Sequence, residues 1–131
     1  MISLHLKGAA TAFAILTIAI GVLAAGAPAK AADKFGAIAF SQKTGAHGFS
    51  YDYQSQGAAQ NRAMVECDQY GPGCRIASWF KNGCGALAVG TGNGWGAEWG
   101  NTRAEAERLA LQRCRSHTGR CQIKRWVCTA R

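Results

Sequence analysis

The residues that could do chemistry are few. His47, Ser50 and Asp52 lie within six positions of one another, and Glu98 follows in the second half of the chain. A histidine, a serine and a carboxylate are the parts of a hydrolytic triad, which needs nucleophile, base and orienting acid within hydrogen-bond reach. No Gly-x-Ser-x-Gly elbow surrounds Ser50, which sits in a plain alternating pattern. Asp52 and Glu98 are the parts of a carboxylate pair of the kind glycoside hydrolysis uses. The chain does not align them with each other residue for residue. A small secreted hydrolase using Asp52, Glu98 or His47 is therefore the alternative reading, not the leading one. Gly92-x-Gly94-x-Gly96 precedes a strand rather than a helix, so it reads as a turn and not as a phosphate cradle. His117 follows a basic helix and reads as a partner of that helix's C-terminal dipole.

Sulfur is the strongest chemical signal. Cys67, Cys74, Cys84, Cys114, Cys121 and Cys128 make an even set in a short chain, which reads as a disulfide framework. Zinc would want ligand pairs about two to four residues apart, a spacing absent here, so neither metal nor cofactor is expected.

The elements that must position these residues occur twice. Gly36-Ala37-Ile38-Ala39-Phe40 returns as Gly85-Ala86-Leu87-Ala88-Val89. At one constant offset, Ala59, Ala63, Cys67, Cys74, Ile76 and Trp79 return as Ala106, Ala110, Cys114, Cys121, Ile123 and Trp126. Each half reads strand, strand, helix, strand. Phe35–Ser41 and Gly48–Tyr53 precede a helix capped by Ser55, and Arg75–Phe80 follows it. Ala86–Val89 and Trp95–Trp99 precede a helix capped by Thr102, whose Thr102-x-x-Glu105 is a capping box, and Gln122–Val127 follows. Alanines four apart form one stripe, which lets each helix sit close over a sheet. The expected fold class is α+β: two ββαβ repeats forming a pseudo-twofold antiparallel sheet, with two helices on one face and disulfides supplying stability. If the halves fold alike, Cys67–Cys74 and Cys114–Cys121 are equivalent bridges, leaving Cys84–Cys128 to tie one half to the other.

Residues 1–31 read as a secretory signal peptide, with Lys7 before the apolar run Ala9–Ala25 and Ala29-Lys30-Ala31 as a small-x-small cleavage site. That run is short for a bilayer span of roughly 20 residues, so no stable span is expected after its removal. Residues 32–131 then form one disulfide-rich domain with repeats at about 35–84 and 85–128, secreted or periplasmic. The formal charge of +8 becomes +6 once Lys7 and Lys30 leave with the leader. The surplus gathers late in the chain. It points to an anionic envelope polymer or acidic protein as partner, with nucleic acid disfavoured by export.

Phe35-Gly36-Ala37-Ile38-Ala39-Phe40-Ser41, Trp79-Phe80-Lys81-Asn82-Gly83-Cys84-Gly85-Ala86-Leu87-Ala88-Val89 and Thr102-Arg103-Ala104-Glu105-Ala106-Glu107 give the chain a resemblance to the bacterial domain-of-unknown-function family numbered 4189. The resemblance spans essentially all of residues 32–131. It implies an exported domain with paired cysteines and supplies no catalytic residue, cofactor or activity. The expected role is a non-enzymatic, disulfide-stapled interaction domain contacting anionic envelope or host partners. Its candidate binding residues are Arg103, Arg108, Arg115, Lys124 and Arg125 with the aromatic residues Tyr51, Trp95 and Trp99; of the row Phe49, Tyr51, Tyr53, Trp95 and Trp99, most are expected in the core or partly buried, and those left on an open face would form a stacking platform.

Overall fold

Among the described residues the chain forms six strands and two α-helices in the order ββαβ, ββαβ. The computed structural model describes residues 26–27 and 29–130 together with Gly8, so the leader assigned to residues 1–31 lies almost wholly outside the described residues. The first half holds β1 (Phe35–Phe40), β2 (His47–Tyr53), α1 (Gln56–Asp68) and β3 (Arg75–Lys81). The second holds β4 (Cys84–Val89), β5 (Trp95–Gly100), α2 (Arg103–Arg115) and β6 (Gln122–Cys128). The α+β class and the doubled ββαβ pattern are thus as the repeat implies. None of the described helices is long and apolar enough to cross a membrane.

The arrangement differs in one respect from a single shared sheet with both helices on one side. Each half closes its own three-stranded antiparallel sheet, ordered β2-β1-β3 and β5-β4-β6. The two sheets pack face to face and one helix covers the outside of each, giving four layers. The cause lies in the central strands. In β1, Ala37 and Ala39 pack with Ala59, Ala63 and Cys67 of α1, whereas Ile38 and Phe40 join Leu87, Ala97 and Val127 from the other sheet. In β4, Ala86 and Ala88 pack with Ala106, Ala110 and Cys114 of α2. A strand with two apolar faces needs cover on both. Here the small-residue face takes a helix and the large-residue face takes a sheet.

The helix contact is closer than alanine alone would permit. Gly48 in β2 lies under α1, where an added Cβ would fall inside contact distance of the Ala63 carbonyl and the Cys67 amide. Gly96 in β5 does the same under α2, against Cys114 N and Ala110 O. Phe80 uses the other glycine pair. Its ring fills the space between the sheets over Gly36 and Gly85, and it is 1% exposed.

Both helices start as their caps require. Ser55 Oγ accepts from Ala58 N and Thr102 Oγ1 accepts from Glu105 N, each at 3.2 Å. Glu105 reaches back to accept from Asn101 N at 3.0 Å. Disulfides join Cys67–Cys74 and Cys114–Cys121, each with Cα atoms 6.1 Å apart, fixing the end of each helix to the start of the next strand. Cys84–Cys128 does not tie the halves together. β4 already begins at Cys84, so the bridge links directly opposed residues of β4 and β6 within the second sheet. Phe35 and Lys81 hold the equivalent places in the first sheet, with the Lys81 ammonium 6.0 Å from the Phe35 ring centre.

Because the helix–strand approach has no room for a methyl group, Gly48→Ala and Gly96→Ala are each expected to lower unfolding free energy by about 1–3 kcal/mol. Gly57, early in α1 with open space around it, should behave oppositely: Gly57→Ala is expected to raise stability by about 0.4–1 kcal/mol. Urea titration of the oxidised protein checks both signs.

Candidate functional site: two seams between the sheets

Two stacked sheets meet along two edges, and duplication makes those edges comparable position by position. Across the inner face of the first sheet, Ile38 is flanked by Phe49 and Ser78. Across the second, its counterpart Leu87 is flanked by Ala97 and Arg125. Stacking sets large against large at one edge and small against small at the other.

At the first edge, between β2 and β6, Arg125 lays its guanidinium 4.4 Å from the Phe49 ring centre. Its Nη2 lies 3.5 Å from His47 Nε2. Its Nε is buried and has no hydrogen-bond partner among the described residues. Phe49 in turn stacks on Tyr51 with ring centres 6.4 Å apart. This seam is plugged. Outside it, Arg103 covers the face of Trp126 at 3.8 Å and pairs with Glu107 at 2.8 Å.

At the second edge, between β3 and β5, the facing positions hold the small residues Ser78 and Ala97. A groove of about 610 Å3 opens there, lined by residues that include Ser78, Trp79, Lys81, Glu98, Trp99 and Arg113. Trp79 is 42% exposed and Trp99 50% exposed. Arg113 Nη2 lies 2.5 Å from Glu98 Oε1, and Lys81 Nζ lies 2.9 Å from Asp33 Oδ2. Lys81 and Asn82, both hydrogen-bonded to Asp33, hold its carboxyl below the usual carboxylate range.

The candidate catalytic side chains are engaged separately. Ser50 is 3% exposed; its hydroxyl donates to Ala59 O at 2.6 Å and accepts from Ala37 N at 3.1 Å, so it joins β2 to α1 and β1. Asp52 has a left-handed backbone, φ 61°, at an irregularity in β2, and accepts from Ala130 N at 2.6 Å. Glu98 is held by Arg113. His47 and Asp52 lie five residues apart on one strand, about 16 Å at about 3.3 Å per residue. The structure therefore does not bring His47, Asp52 and Glu98 to one place. His117 is exposed just beyond α2, its amide donating to Cys114 O at 2.9 Å.

The candidate binding residues also separate. Arg108, Arg115 and Lys124 are exposed, as are Arg103, Tyr51 and Trp99. Arg125, expected on the recognition surface, is turned inward; so is Trp95, as the core reading of the aromatic row implies. Trp95 meets Phe40 edge-on at 5.8 Å in the inter-sheet core, and Arg125 is drawn in by Phe49. Trp79, Lys81 and Arg113 line the open groove and were not among the residues singled out. Their signal lay in comparing the halves for differences: Ser78 against Arg125, and Phe49 against Ala97.

The architecture is a doubled ββαβ unit with a bridge at the end of each helix, four layers deep, with one seam plugged and one open as a surface groove. A family model described as "Domain of unknown function (DUF4189)" matches residues 35–128, and the chain belongs to that family. Its fold is similar to a solved structure titled "NMR structure of Rv1813c from Mycobacterium tuberculosis", with a TM-score of 0.57 and 25% sequence identity over 98% of each chain. No curated protein matches the chain.

The plugged seam carries a pH dependence. Burial lowers the His47 pKa, Arg125 and Lys124 push it the same way, and Glu66 and the Gly45 backbone oppose them. The folded state thus prefers neutral imidazole, while the unfolded chain takes up its proton near the usual value of about 6.5. Stability is complete above that value and is lost as pH falls below it. The urea midpoint is expected to drop between about pH 7.5 and pH 5.5, and His47→Gln should drop less over the same window.

Proposed function

We propose that this is an exported, non-enzymatic binding domain whose second half contacts an anionic envelope polymer. Three disulfides fit an oxidising setting outside the cytosol, and the apolar leader with its small-residue cleavage site supports export. One observation carries the anionic partner. The two halves share a fold, yet residues 35–84 hold four cations against three carboxylates, whereas residues 85–131 hold eight against three. A scaffold does not require that asymmetry, because the first half folds the same way without it.

The cations are also distributed usefully. Arg108 and Arg115 lie seven residues apart, two turns of α2, on the face opposite the buried stripe Ala106, Ala110 and Cys114. Arg103 and Lys124 continue the surface past Trp126 toward β6. Such a field attracts polyanions at long range and weakens with salt. The separate engagement of His47, Ser50, Asp52 and Glu98 supports the non-enzymatic reading.

Retention on heparin–agarose tests this. The oxidised domain is expected to bind at about 0.15 M ionic strength, where charges act over about 8 Å, and to elute as salt rises. The triple variant R108E/R115E/K124E should flow through. K43E/R62E/R75E, with the same change in net charge placed in the first half, should still be retained. Equal loss in both variants would mean that net charge alone is being read, and no retention of the native domain would end the proposal.

A further inference from the structure

The two seams differ in what they offer a ligand, and the open one differs from the basic flank in charge. Its rim holds two cations, Lys81 and Arg113, and each is already matched by a carboxylate, Asp33 and Glu98. The excess charge of the second half is therefore not expressed at the groove. What the groove does present is two indoles with free surface, a serine, and planar charged groups with hydrogen-bonding capacity to spare. Among the described residues no cation covers Trp79, whereas its counterpart Trp126 is capped by Arg103. Gln56 stands at the position equivalent to Arg103.

We infer that the β3–β5 groove is a binding site for a neutral saccharide chain built of β-1,4-linked pyranoses. Such rings carry their hydroxyls equatorially. Both faces of the chain are therefore flat and lined with C–H groups, while its edges are hydroxyls. The faces suit aromatic rings, which are large, rigid and apolar with little ordering cost. The edges suit a carboxylate that accepts and a guanidinium that donates, each in a fixed plane, and a hydroxyl that rotates to do either. A volume of about 610 Å3 falls within the roughly 300–1,000 Å3 of small-molecule sites. The paired charges disfavour a polyanion here, since it would have to compete with Glu98 for Arg113 and with Asp33 for Lys81. An exported domain meets such chains in the cell envelope. This site is independent of the basic flank, and salt weakens only binding at the flank.

The test is titration of the oxidised, isotopically labelled domain with chitotetraose and with cellotetraose, followed by amide and indole chemical shifts. Saturable shifts at Ser78, Trp79, Trp99 and Arg113 are expected with at least one of them, unchanged between low and high salt. W79A and W99A should each weaken binding about tenfold, the scale of one stacked ring. Y70A, at an exposed tyrosine outside the groove, should leave it unchanged. Amide dispersion of each variant reports whether it is folded. If alanine disturbs the fold, shift mapping on the unaltered domain decides alone. No shift with either saccharide, or shifts centred on Trp126 and Lys124, would overturn the inference. Loss of heparin retention with these saccharide shifts intact would strike only the polyanion reading, and the converse result only this one.

Discussion

A strand covered on both faces must bury two different surfaces at once, and that constraint organises the molecule. β1 and β4 meet it by alternating alanine with a larger side chain. The alanine face is so shallow that the helix above comes down onto glycine in the neighbouring strand, at Gly48 and at Gly96. The larger face must then find cover elsewhere, and another copy of the same surface supplies it. Two halves of one chain therefore stack through Ile38, Phe40, Phe80 and Leu87 rather than lie side by side. In a domain with so few large aliphatic residues, disulfides close the ends that packing alone would leave loose.

Stacking two related sheets leaves two related edges, and those edges are where the halves diverge. Phe49 opposite Arg125 fills one edge; Ser78 opposite Ala97 leaves the other open. The same divergence recurs around them. Arg113 and Glu98 pair at the open seam, where the equivalent Glu66 and Ser50 are turned to backbone, Glu66 accepting from Phe49 N at 3.2 Å and Ser50 donating to Ala59 O. The two halves share one scaffold and differ at edge positions that form a plug and a groove, and on the outer face of α2, where the basic flank lies.

Much of the fold was legible in the residues. The repeat marked two ββαβ units, the alanine stripes marked the buried helix faces, and Ser55 and Thr102 marked the helix starts. The number of sheets was not legible, because Ala-Ile-Ala-Phe and Ala-Leu-Ala-Val are apolar on both faces and carry no polar alternation to say which face is solvated. The same blindness placed Cys84 at the end of the first unit rather than in the second sheet. Arg125 was misplaced, and Trp95 was left between core and recognition surface, for a related reason. Whether an aromatic ring or a long cation turns inward depends on what stands across the seam, Phe40 in one case and Phe49 in the other, and that partner lies on a strand far away in sequence. Trp79 was read as a repeated scaffold residue, since repetition hides a difference in what surrounds each copy.

Equivalence of the two seams is the claim that most of this account depends on, and transplanting the plug tests it directly. Ser78→Arg with Ala97→Phe places the Arg125–Phe49 pair at the matching positions of the open edge. The measurement is a crystal structure of the double variant together with its melting temperature. The account predicts a folded domain, with the new guanidinium over the new ring and the groove between Trp79 and Trp99 closed. A chain that no longer folds, or one in which the introduced side chains splay into solvent and leave the groove open, would contradict it.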